Sequence, residues 1–281
     1  MNIRNSLNKR LKILQIFFNY LCFSFGGQSL KDKILSLYLR SSMDNPFKTR
    51  SKFVMKLIER KGSMINLCHN YFNNLNLSYN LLDNFEMAIC NEFFIQKTYN
   101  LGRLSFIPER IIDCGSYRGY FSFLALKYFP KASITAVEAH PANFEKINFF
   151  INSNNLHKIE LLHGAISRSD NSYIDLFFEG SNGSMVNTFG YNSKFTKVKT
   201  IDLEQFVNQD NLLLKVDIEG AELDFFPSII SKLPSRCAVF LETHNGWESL
   251  QTIKEIFISE GFTFEIIRER SQFIDSFAQR K

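Results

Sequence analysis

Three features of the 281-residue sequence predict an α/β, doubly wound domain. Short apolar runs of strand length alternate with helical segments of about 10–12 residues. One such run, Ile111-Ile112-Asp113, ends in an acid and passes into a loop with two glycines, Gly115 and Gly119. A second run ends in another acid, Glu138, 23 residues after Gly115. Strands joined through helices run parallel and connect by right-handed crossovers.

Along the chain the pattern predicts a strand at 110–113, a helix at 120–129, a strand at 133–138, a helix at 142–152 and a strand at 159–165. An interlude at 173–200, punctuated by Gly180, Gly183 and Gly190, reads as a strand pair with a loop at its tip. A strand at 212–217, a helix at 221–231, a strand at 238–242 and a helix at 247–259 follow. Two closing strands near 263–268 and 272–277 complete the sheet. Upstream, residues 83–100 suit a helix, and Asn73, Asn74, Asn76 and Asn80 mark turns between short strands. Thirty Phe and ten Tyr against one Trp predict a Phe-rich core.

The net charge of +5 is unevenly spread. Residues 1–62 hold 13 Lys and Arg against 3 Asp and Glu, whereas residues 63–281 hold 20 against 25. We therefore divide the chain into a basic helical extension, 1–62, and a main domain, 63–281. The mild acidity of the main domain argues against a nucleic-acid partner. In the extension, Leu7, Leu11, Leu14, Phe18, Leu21 and Phe25 recur at helical spacing behind Lys9, Arg10 and Lys12. Three readings fit residues 1–26: a secretory signal, a helix lying on an anionic membrane surface, or a helix packed on the main domain or on a partner chain.

An apolar content of 45% excludes a wholly disordered chain, and no stretch is long and uncharged enough for a membrane-spanning helix. Five scattered cysteines without a C-x-x-C pair argue against a disulfide scaffold and a zinc finger. Reduced thiols in a cytoplasmic protein are the simpler expectation, with the inner membrane surface added if residues 1–26 lie on lipid.

In parallel sheets, ligands sit beyond the carboxyl ends of the strands. The spacing D-x-G-x-x-x-G lacks the third glycine of a pyrophosphate loop. An acid at this strand end, outside the core, suits a ligand carrying positive charge, such as the ammonium of S-adenosylmethionine. Glu138 lies where an acid accepts hydrogen bonds from ribose hydroxyls.

D-x-G-x-x-x-G-Y-F-S at 113–122, V-E-A-H-P-x-N-F at 137–144 and L-L-K-V-D-I-E-G-A-E-L at 213–223 resemble the FkbM family of S-adenosylmethionine-dependent methyltransferases. The resemblance covers about residues 105–265. It implies a Rossmann-like class I methyltransferase sheet, mostly parallel with a closing antiparallel strand. It further implies that Asp113, Gly115 and Gly119 hold the methionine end of S-adenosyl-L-methionine, that Glu138 holds the ribose, and that Ser116, Tyr117, Ala139, His163 and Ala165 complete the cofactor-binding set. His163 stands two residues before Ala165, where the family often has Asn. Tyr117 and Arg118 replace smaller or apolar residues and suit the lip of the loop.

Asp217, Glu219 and Glu222 follow an apolar strand and so stand at the same edge. Methyl transfer to a hydroxyl requires the acceptor to lose its proton, and a carboxylate or histidine within reach can take it. Asp217 is the best placed, Glu219 the next, and His244 ends the neighbouring strand. Glu222 equally suits a helix-start acid favoured by the dipole. The same acids and His244 suit a divalent metal, and spacing does not separate this from base catalysis, so no metal is assigned. The expected activity is O-methylation of a sugar, glycolipid or small metabolite. A nicotinamide-dependent oxidoreductase and a catalytically silent cofactor-fold scaffold are the alternatives. Acceptor identity and oligomeric state lie beyond the sequence.

Overall fold

The computed structural model describes residues 98–167, 172–178, 184–186, 194–269 and 273–280. They belong to one of the chain's two compact units, Thr98–Lys281. The expected boundary at 62/63, the stripe of residues 1–26, the Asn-rich turns and the helix over 83–97 lie outside the described residues.

In chain order the elements are β1 (Arg110–Cys114), α1 (Tyr120–Tyr128), β2 (Ser133–Glu138), α2 (Pro141–Ser153), β3 (Ile159–His163), β4 (Ala165–Ile166), β5 (Tyr173–Phe178), β6 (Ser184–Val186) and β7 (Lys194–Ile201). They continue with β8 (Leu212–Val216), α3 (Glu222–Ile229), β9 (Cys237–Thr243), α4 (Gly246–Ser259), β10 (Phe262–Glu269) and β11 (Ile274–Arg280). Seven strands form one sheet in the order β10-β11-β9-β8-β1-β2-β3. The strands from β9 to β3 run parallel, and β11 enters antiparallel between β9 and β10. This is the mostly parallel sheet with an antiparallel closing strand that the sequence predicts.

Burial explains the order. All of β8 is buried, and β1 is buried from Ile111 onward, so both need helices on each face. The outer strands β3 and β10 are each buried only at their first residue and partly or fully exposed beyond it. Phe121, Phe123, Phe226, Phe240 and Phe257 are fully enclosed. Several of these rings pack edge-on, as in Phe226 against Phe257 at 4.8 Å between centroids. Register brings Cys114, Val216 and Leu241 side by side at one sheet edge. The residues that follow these strand ends therefore share one rim.

Several boundaries differ from expectation. The strand expected at 159–165 is broken at Gly164, beyond which β4 joins a second sheet of order β4-β7-β5-β6. A Cβ on Gly164 would stand 2.5 Å from the Ile201 side chain, so glycine permits the two sheets to approach there. The interlude holds three strands rather than a pair, its loop tip lying outside the described residues. The helix expected at 221–231 ends at Ile229 and closes in a 3₁₀ turn, Ile230–Lys232. Pro227 has no N–H to donate inside it, which weakens the final turn. Residues 98–100 are not helical.

Candidate active site

The rim is built from three strand ends. After β1 the chain turns through Gly115 at φ +74°, and a Cβ there would lie 1.8 Å from the carbonyl oxygen of Asp217. Only glycine allows that approach. The N–H groups of Gly115 and Ser116 donate to the Val137 carbonyl at 3.0 and 2.9 Å. Tyr117 takes φ 51° and directs its N–H to Glu138 Oε2 at 2.7 Å. Gly119 at φ +79° opens α1 without a side-chain cap, so no capping side chain takes up the helix's first N–H groups.

Glu138 ends β2 and is buried. It also accepts from the His140 N–H at 2.8 Å and from Asn143 Nδ2 at 3.5 Å. Burial pushes its carboxyl up to about 7 against the pull of these donors. Across the β2–β3 register it faces His163, whose Nε2 lies 3.2 Å from the Ala139 carbonyl and whose ring stacks on Phe144 at 4.7 Å. Ala165 is buried in the second sheet, packed with Leu176 and Val198.

Asp113 corrects an expectation. It is wholly enclosed rather than standing clear of the core. Its Oδ2 accepts from Ser122 Oγ at 2.7 Å, and its Oδ1 lies 3.5 Å from Lys215 Nζ. Burial raises its pKa, opposed by the Lys215 ammonium. Arg118 is likewise buried rather than exposed at a lip. Lys215 was visible in the sequence only as part of a motif. Its ammonium donates to the Gly115 carbonyl at 2.6 Å and stands 3.4 Å from Asp217 Oδ2. Burial lowers the pKa of Lys215, but Asp217, Asp113 and Glu242 outweigh it and leave it raised.

The acids after β8 converge on His244. Its Nδ1 lies 2.9 Å from Glu222 Oε1, and its Nε2 lies 3.3 Å from Glu219, 3.7 Å from Glu242 and 4.0 Å from Asp217. Glu222 is more than a helix-start acid, because Oε1 also accepts from the N–H groups of Ile218 and Gly220. It shapes the turn in which Glu219 takes φ 54°. Burial disfavours the His244 imidazolium, but hydrogen bonds to Glu219 and Glu222 and the charges of Glu222 and Asp217 raise its pKa to about 11. At neutral pH His244 is thus a cation that gathers carboxylates, and the proton-accepting capacity rests with the acids. Glu242 was given no role from the sequence. The available signal was its spacing, since residues two apart on a strand share a face and Glu242 therefore accompanies His244.

A parallel sheet closed by an inserted antiparallel strand, with a glycine loop and an acid at adjacent strand ends, defines a Rossmann-like class I methyltransferase. The chain matches the Methyltransferase FkbM domain over residues 113–276 and belongs to that family. It is 26% identical over 211 residues to Methyltransferase 1 of Beauveria bassiana (strain ARSEF 2860), covering 64% of this chain and 82% of that protein. Among solved structures it resembles the methyltransferase FkbM of Methylobacillus flagellatus KT (TM-score 0.46, 11% identity, 79% of this chain and 59% of that one). It also resembles the precorrin-6y C5,15-methyltransferase of Geobacter metallireducens GS-15 (TM-score 0.44, 14% identity, 66% and 85%).

Proposed function

We propose that this chain is an S-adenosylmethionine-dependent O-methyltransferase acting on a hydroxyl of a sugar, glycolipid or small metabolite. The observation that carries this reading is the backbone contact between Gly115 and Asp217, which sets the glycine loop beside the acids after β8. The residues suit the cofactor. Glu138 is ionisable, lies at the strand end and keeps acceptor capacity for a ribose hydroxyl beyond its three described donors. Tyr117 and His140 clamp its orientation through their backbone N–H groups. Asp113 acts indirectly, by holding Lys215 and Ser122 beneath the loop.

Bound there, S-adenosylmethionine supplies an electrophilic methyl group on a sulfonium. Asp217 and Glu219 are half-exposed at the rim, where they hold an acceptor hydroxyl and receive its proton. Lys215 and His244 hold these carboxylates in place. Hydroxyl-rich acceptors fit a rim of carboxylates, because each carboxylate oxygen accepts O–H donors. The acidic balance of residues 63–281 speaks against a nucleic-acid acceptor. Among the described residues no helix is long and apolar enough to cross a membrane. Cys114 and Cys237 are buried free thiols, which suits a cytoplasmic setting.

Calorimetric titration with S-adenosylmethionine, S-adenosylhomocysteine and NAD tests the cofactor, and labelled-methyl transfer into a metabolite and glycan extract tests the acceptor. Binding of the two adenosyl ligands, with label recovered as an alkali-stable methyl ether, supports the reading. Binding of NAD alone, or label recovered on nitrogen, overturns it.

A further inference from the structure

We propose that Asp217, Glu242 and His244 form a site for a divalent cation with oxygen and nitrogen ligands, of the Mg²⁺ or Mn²⁺ class. Its binding is independent of the methyl-transfer reading, and only its use, to hold the acceptor oxygen, rests on that reading. One ligand atom from each residue lies within 4.8 Å of the other two. Nε2 of His244 is 3.7 Å from Glu242 Oε1 and 4.0 Å from Asp217 Oδ1. Ligands about 2.1 Å from an octahedral ion are separated by roughly 3.0 Å when adjacent and about 4.2 Å when opposite. The two separations from Nε2 lie between those values, so small side-chain adjustments would bring the atoms towards one ion.

The mixture of donors and their support also favour a cation. Glu242 lies in β9, His244 follows its last residue, and Asp217 follows the last residue of the adjacent strand β8. All three thus stand at the adjoining ends of two paired strands. Three carboxylates, those of Glu219, Glu242 and Asp217, face Nε2 of His244 together. Five carboxylates, those of Asp113, Asp217, Glu219, Glu222 and Glu242, gather around the side-chain cations of Lys215 and His244. An ion entering here takes the place of the Nε2 proton, which leaves to solvent, while Nδ1 keeps its bond to Glu222, the outer-shell contact that orients a metal-bound imidazole. Glu219, half-exposed and outside the triad, is then placed to receive the acceptor's proton. A hydroxyl bound to such an ion loses its proton more readily.

The test uses the full chain, stripped with a chelator and titrated with MnCl₂ alone, by electron paramagnetic resonance of the free ion. The expected result is one saturable Mn²⁺ per chain, displaced by MgCl₂. Asp217→Asn and Glu242→Gln should each weaken it at least about ten-fold, with near-normal circular dichroism and S-adenosylmethionine affinity. Glu204→Gln, remote on the surface, should leave Mn²⁺ binding unchanged. Absence of saturable Mn²⁺ binding, or binding indifferent to both rim variants, overturns the site and leaves the methyl-transfer reading intact. Mn²⁺ binding without any S-adenosylmethionine binding supports the site and overturns the other reading.

Discussion

The carbonyl oxygen of Asp217 lies 1.8 Å from where a Cβ on Gly115 would stand, so the first loop and the end of β8 meet backbone to backbone. That contact couples the glycine loop to the acids of the rim. A side chain at position 115 must displace one or the other.

Gly115→Ala is therefore expected to cost about 2–4 kcal/mol, combining positive-φ strain with overpacking against backbone. Thermal unfolding and S-adenosylmethionine titration check this together. An unchanged melting temperature with full binding would show that the loop and strand end separate freely.

Removing either partner of the Asp113–Lys215 pair leaves a buried charge poorly compensated. Asp113→Ala should destabilise the fold by about 3–5 kcal/mol, and Lys215→Met by a similar amount. The Asp113→Ala, Lys215→Met double variant should cost less than the sum of its single variants, because no unpaired charge remains between these positions. Urea denaturation of the four proteins measures the coupling, and strict additivity would contradict it.

Glu138 predicts a pH dependence of definite sign. Its carboxyl has a pKa of about 7 when folded against 4.5 when free. Between those values the folded state holds a proton that the unfolded state has lost, so its contribution to stability is present at low pH and lost as pH rises towards 7. The full effect is about 3 kcal/mol. Glu138→Gln should flatten the urea midpoint over that window. Cofactor affinity should move oppositely and rise with ionisation, since the carboxylate is the better acceptor for ribose hydroxyls. A wild-type stability profile as flat as that of the Gln variant would refute the assignment.

Asp217→Asn keeps the shape of the rim and removes a charge. Turnover is expected to fall at least about 10²-fold with cofactor affinity nearly unchanged, if Asp217 acts on the acceptor. A loss of affinity with turnover at saturation preserved would reassign it to the cofactor. His244→Ala should lower both turnover and stability, because the carboxylates it gathers lose their shared cation.

The alternation of apolar strands with helices, the acids at the ends of β1 and β2, and the acid run after β8 were all legible in the sequence. They are local: strand burial shows as a continuous apolar run, and a strand-end acid shows as its last or next residue. Other features arise only when distant strands pair. Asp113 looks like a rim acid until β8 brings Lys215 beside it, since residues 100 positions apart meet there, as in the Lys215–Gly115 hydrogen bond. Glu242 gains its place only because β9 pairs with β8, and the third strand of the interlude exists only because β5 pairs on both edges. Spacing along the chain specifies which side chains can share a face of one element. Register between strands decides which faces meet, and that register is set by burial of the whole sheet, a property no single segment carries.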